Sequence, residues 1–62
     1  MNRQEWKLFY RWLETASLPE LRATLAKTEE VILILQDPDV REDALRMRRE
    51  IESEILSRTV RP

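Results

Sequence analysis

Hydrophobic positions along the chain fall into three periodic stretches separated by two short breaks. In the first, Trp6, Phe9, Tyr10 and Leu13 recur at i, i+3, i+4 and i+7, the spacing of one helix face, while Leu8 and Trp12 form a second pair on an adjoining face. Asn2 followed three residues later by Glu5 has the form of a capping box, so helix 1 is expected over about residues 3–15. In the second stretch Leu18, Leu21, Leu25, Thr28, Ile32 and Leu35 are spaced 3, 4, 3, 4, 3, the seam of a coiled-coil or antiparallel packing in which only Thr28 is polar. Ser17-Leu18-Pro19-Glu20 opens that helix with a cap, a proline that needs no N–H partner and an acidic residue facing the positive end of the dipole. Helix 2 is expected over about 18–36. The third stretch carries Val40, Ala44, Met47, Ile51 and Ile55 on one stripe with Leu45 and Leu56 beside it, predicting helix 3 over about 39–59; Val60, Arg61 and Pro62 are expected to fray.

Asp37-Pro38-Asp39 makes the second break so short that helices 2 and 3 must fold back on each other. The pattern therefore describes one all-α domain across residues 1–62: a long antiparallel hairpin preceded by a short aromatic helix. Val31-Ile32-Leu33-Ile34-Leu35 complicates it, because a helix that is apolar over a full turn must be covered on more than one side. Helix 3 serves the Ile32 and Leu35 side. Val31, Leu33 and Ile34 are left with two claimants, helix 1 of the same chain or a second copy. The reading preferred is the second copy, a homodimer in which two hairpins form a four-helix core and helix 1 is an accessory arm, since a twofold pairing is the commonest way for a small chain to find missing core. In either arrangement Leu25, Ile32, Leu35, Met47, Ile51 and Ile55 are expected to be buried.

Composition narrows the chemistry. Sixty-two residues lie near the lower size for independent folding, and the chain has no glycine, cysteine or histidine. That removes disulfides, thiol chemistry, imidazole or thiolate metal sites and glycine-rich phosphate loops; no cofactor, no metal and no enzymatic activity are expected. Asp37, Asp39, Glu42 and Asp43 crowd one turn but lack the glycine and the later bidentate glutamate of a calcium loop, so helix capping explains them better. The net charge of −1 is spread evenly, and the densest basic cluster, Arg46, Arg48 and Arg49, is surrounded by Glu42, Asp43, Glu50, Glu52 and Glu54. Spacings of four pair Glu42 with Arg46, Arg46 with Glu50, Arg48 with Glu52 and Glu54 with Arg58, the pattern of a solvated helix face rather than a phosphate grip. The longest apolar run is five residues against the ~20 of a membrane span, so neither nucleic acid nor membrane is the expected partner and a cytoplasmic location is expected.

The aromatic helix holds the candidate binding residues. All four aromatic side chains lie between Trp6 and Trp12, and Trp and Tyr are the types that most often dominate protein–protein hot spots. Trp6, Leu8, Tyr10 and Trp12 are the candidate partner-binding set, set against the reading that the same residues cover the hairpin's surplus apolar surface. In size and general design the chain is similar to two broad groups: small helical proteins of bacteriophages and other mobile elements that bind and inhibit a host protein, and small hairpin co-chaperones of bacterial secretion systems. That similarity spans the whole chain without a shared motif and assigns no residue. The function expected is a non-enzymatic protein–protein interaction module that modulates or inhibits a partner. A structural or regulatory oligomerisation hairpin comes second and a small DNA-binding regulator third.

Overall fold

Three helices make up the computed structural model, which describes residues 1–60: α1 (Arg3–Thr15), α2 (Leu18–Ile34) and α3 (Pro38–Thr59). No strand occurs among the described residues. Each helix starts where the side-chain chemistry asks it to. The Asn2 carboxamide oxygen accepts from the Glu5 N–H at 2.9 Å, and the Ser17 hydroxyl accepts from the Glu20 N–H at 3.3 Å, each within a complete capping box. At the second break the Asp37 carboxylate accepts from the Asp39 and Val40 N–H groups, which puts Pro38 in the first turn of α3.

Helix α2 ends at Ile34, two residues before the point suggested by its apolar pattern. Leu35 still donates its N–H to the Val31 carbonyl at 3.0 Å, but its ψ of 129° is extended, and Asp37 is extended as well. The residue before a proline avoids helical geometry, so the chain must leave the helix early to enter α3. Fraying at Arg61 and Pro62 lies outside the described residues.

Helices α2 and α3 pack along one another as the antiparallel hairpin. Helix α1 is joined to α2 by only Ala16 and Ser17 and folds back over the pair, running alongside α3: Met1 meets Asp43, Tyr10 meets Arg46 and Ala16 meets Arg58. Phe9, Leu13 and Ala16 join Leu21 and Ile51 in one buried cluster, with Trp6, Trp12, Leu18, Leu25, Met47 and Ile55 half-buried around it. Helix 1 is thus a member of the core within a single chain and not the accessory arm of the preferred expectation. The two-residue connector turns α1 back onto the hairpin, where Phe9 and Leu13 find their cover.

The seam behaves unevenly. Ile32 and Ile51 are buried, while Leu25, Leu35, Met47 and Ile55 are only half-buried. Thr28, the polar member, is buried too, and its hydroxyl donates to the Thr24 carbonyl one turn back at 2.8 Å. Val31, Leu33 and Ile34 remain exposed, because at about 100° per residue the positions that turn Leu21, Thr28 and Ile32 inward rotate Leu33 and Ile34 to the outside. Placing α1 on the hairpin did not cover them. The accessible surface of 4955 Å² correspondingly exceeds the roughly 4,250 Å² typical of a 7.5 kDa chain, and the Cα radius of gyration is 12.0 Å where a chain of this length averages about 10.6 Å.

Candidate functional site

The two flanks of α1 present different surfaces. Trp6 and Tyr10 lie on the α3 side, where the Arg46 guanidinium sits 4.2 Å from the Trp6 ring centroid and donates to the Tyr10 hydroxyl at 2.9 Å. A planar cation over an indole face is attracted by the ring quadrupole, so this flank is already occupied from within the chain. Arg46 correspondingly makes no ion pair with Glu42 or Glu50 among the described residues, whereas the expected Arg48–Glu52 and Glu54–Arg58 pairs form at 3.5 and 3.0 Å.

Leu8 and Trp12 lie on the α2 side. There they line, with Met1, Glu5, Phe9, Thr24 and Met47, a groove of about 450 Å³ that opens to solvent. A second hollow of about 390 Å³ shares Met1, Glu5 and Met47 and continues past Val31, Leu35, Ala44 and Val40, so one largely apolar trough runs from the middle of α1 to the closed end of the hairpin. Asp43 and Glu5 are its acidic members. The Asp43 carboxylate binds the Met1 ammonium directly, which raises the amino group above its ordinary value of 8.0 despite an opposing desolvation effect. Of the four candidate binding residues, the structure sets Leu8 and Trp12 together along the trough and turns Trp6 and Tyr10 away from them toward Arg46. Leu8 is 54% exposed and the three aromatic rings are half-buried.

A separate apolar surface wraps the last turn of α2. Leu33 is 85% exposed and Ile34 76%, and Val31 and Val40 are each close to half exposed at the edge where this surface meets the trough. The opposite flank of α1 borders a mixed hollow of about 290 Å³ lined by Tyr10, Leu13, Glu14, Glu50, Ser53, Glu54 and Ser57. Among the described residues no group of three acidic side chains is placed to hold a metal ion, and no helix is long and apolar enough to cross a membrane.

Arg58 is the positioning residue that the sequence pattern did not single out beyond its spacing from Glu54. Its guanidinium donates to the carbonyls of Leu13 at 2.9 Å and of Ala16, while its Nε donates to Glu54. A helix C-terminus carries unsatisfied carbonyls and partial negative charge. Helix α1 has neither a basic residue in its last turn nor a glycine after it, and that deficit was the readable sign that a donor must come from elsewhere. With these interactions α1 is clamped to α3 at Asp43, Arg46 and Arg58, and its α2-facing flank carries the open apolar trough. The architecture defines a three-helix all-α class. Compared with known proteins, the chain matches no family model, no curated protein and no solved structure.

Proposed function

We propose that this chain is a non-enzymatic interaction module that binds a partner protein and modulates or inhibits it by occupying its surface. The observation that carries this reading is the apolar trough flanked by Leu8 and Trp12, which opens to solvent while the Trp6–Tyr10 flank of α1 is occupied by Arg46. A trough of this kind suits an amphipathic helix or extended segment, recognised through alternate apolar anchors. Within the set Trp6, Leu8, Tyr10 and Trp12, the second and fourth touch the partner, and Trp6 and Tyr10, braced by Arg46, hold α1 at the right height. The mode of action resembles that of small phage or mobile-element inhibitors, and the cytoplasm of the producing or host cell is the proposed location.

The test is a substitution on the open flank. Wild-type protein is used to capture and identify a partner, and the purified pair is then titrated with Leu8→Asp and Trp12→Ala. Leu8→Asp should keep the helical circular dichroism spectrum and weaken binding at least tenfold, since an exposed anchor is lost and a charge is placed in an apolar contact. Unchanged affinity in Leu8→Asp would refute the reading. A second reading, self-association as an oligomerisation hairpin, is favoured by a different observation: Leu33 and Ile34 point away from every element of their own chain. The two readings use different surfaces and are compatible.

A further inference from the structure

We infer that the segment received by the Leu8–Trp12 trough is a basic amphipathic helix of the partner, its lysines or arginines lying over the closed end of the hairpin. This rests on the interaction-module reading and names the chemistry of the partner. The form of the trough suits a helix. Side chains from all three helices line it, Leu8 and Trp12 of α1, Thr24 and Val31 of α2, and Ala44 and Met47 of α3, so a fourth helix laid along it packs by the same side-chain interdigitation as the other three. The flexible thioether of Met47 can adapt to its anchors. An extended segment would draw its affinity from backbone pairing with a sheet edge, and no strand occurs among the described residues.

Charge selects the sign of that helix. Residues 27–43, which make up the closed end, hold Glu29, Glu30, Asp37, Asp39, Glu42 and Asp43 against Lys27 and Arg41, six acidic to two basic, a local charge of −4 in a chain that totals −1. The imbalance is diluted along the sequence, and the hairpin gathers it by bringing the end of α2 and the start of α3 together. The Met1 ammonium matches Asp43, which leaves the surplus with the other acids. The negative end of the α2 dipole and the positive end of the α3 dipole meet there and largely cancel, so side chains set the field. Among the described residues, Glu5 and Asp43 are the charged side chains lining the trough, and no lysine or arginine lines it. A cationic helix is attracted to such a surface, whereas nucleic acid and anionic lipid are repelled.

Two synthetic helical peptides of about 18 residues serve as probes, sharing leucines at i, i+3, i+4 and i+7 and carrying lysine on the remaining face in one and glutamate in the other. By fluorescence anisotropy in about 0.05 M NaCl the lysine peptide should bind at least tenfold more tightly than the glutamate peptide, and about 0.5 M NaCl should shrink that advantage. Glu30→Gln/Glu42→Gln, both exposed positions at the closed end, should weaken the lysine peptide several-fold, while Glu14→Gln/Glu52→Gln, which makes the same change of net charge elsewhere on the surface, should leave it near the wild-type value. Leu8→Ser, also at an exposed position, should weaken both peptides. Circular dichroism checks that each variant is folded. Equal affinity for the two peptides, or equal effects of the two glutamine pairs, would overturn the basic helix while leaving the trough as a docking site for some other segment. Lysine-peptide binding that Leu8→Ser does not change would overturn the trough as its seat, and so would binding of neither peptide at about 1 mM; the interaction-module reading is then decided separately by Leu8→Asp against the captured partner. A wild-type dimer in sedimentation equilibrium that Leu8→Ser dissociates would put a second copy in the trough and overturn the inference.

Discussion

Replacing Arg58 by methionine should loosen α1 from the hairpin. Methionine keeps much of the apolar stem that the guanidinium rides on, so what is removed is the charge and its donors. The carbonyls at the C-terminal end of α1, those of Leu13 and the capping Ala16 with a longer contact to Glu14, then lose their partner, and Glu54 loses its ion pair. Hydrogen bonds to a charged group contribute about 1.5–3 kcal/mol each when well buried. The Arg58 side chain is 25% exposed and the carbonyls it serves lie at a helix end that water can reach, so the summed loss is expected near 2 kcal/mol. A 62-residue domain has about 3–9 kcal/mol of stability in all. In urea, with a slope of about 1 kcal/mol per molar, the midpoint should fall by about 2 M. The melting temperature should fall by roughly 8–16 °C. Glu54→Gln is the control, because it removes the partly exposed ion pair and leaves the cap; it should cost about 0.5 kcal/mol. Native-state hydrogen exchange adds a local readout, with α1 amides losing protection ahead of those in α2 and α3. An Arg58→Met midpoint indistinguishable from that of Glu54→Gln would refute the claim that a tertiary cap holds α1.

Three further outcomes follow from the same geometry. Arg46→Gln should cost about 1–2 kcal/mol through loss of its contacts with Trp6 and Tyr10, and in a Trp12→Phe background it should shift Trp6 fluorescence; an unchanged spectrum would show that the cation does not sit over the ring. Ile51 is fully buried in the α1–α2–α3 cluster, so Ile51→Ala should cost about 3–4 kcal/mol and leave the domain near its unfolding threshold, while Ile51→Val should cost about 1, both read by urea titration. Asp43 raises the Met1 ammonium above 8.0, so their contact stabilises the fold in full below about pH 8 and is lost as pH climbs through the raised value; Asp43→Asn should abolish that alkaline decline, and an identical decline in both proteins would exclude the contact as its cause.

Much of this protein follows from local rules that act within a few residues. Both capping boxes, the Asp37-Pro38 start of α3 and the three-helix count depend on side chains reaching their own backbone, and such contacts are set by spacing alone. The seam through Leu21, Thr28 and Ile32 was readable for the same reason, since helical periodicity determines which positions share a face. Other features depend on relations between residues about 40 positions apart. Periodicity showed that Trp6, Leu8, Tyr10 and Trp12 occupy two flanks, but only packing against α3 gave one flank to Arg46 and left the other open beside Thr24 and Met47. Arg58 read as an ordinary member of an i, i+4 pair until the fold carried the α1 carbonyls to it. The five-residue aliphatic run marked a shortage of cover without saying where it would fall. The tertiary structure decided that, because α1 spends its apolar face on Leu21 and Ile51, and the rotation of α2 then leaves Leu33 and Ile34 facing solvent.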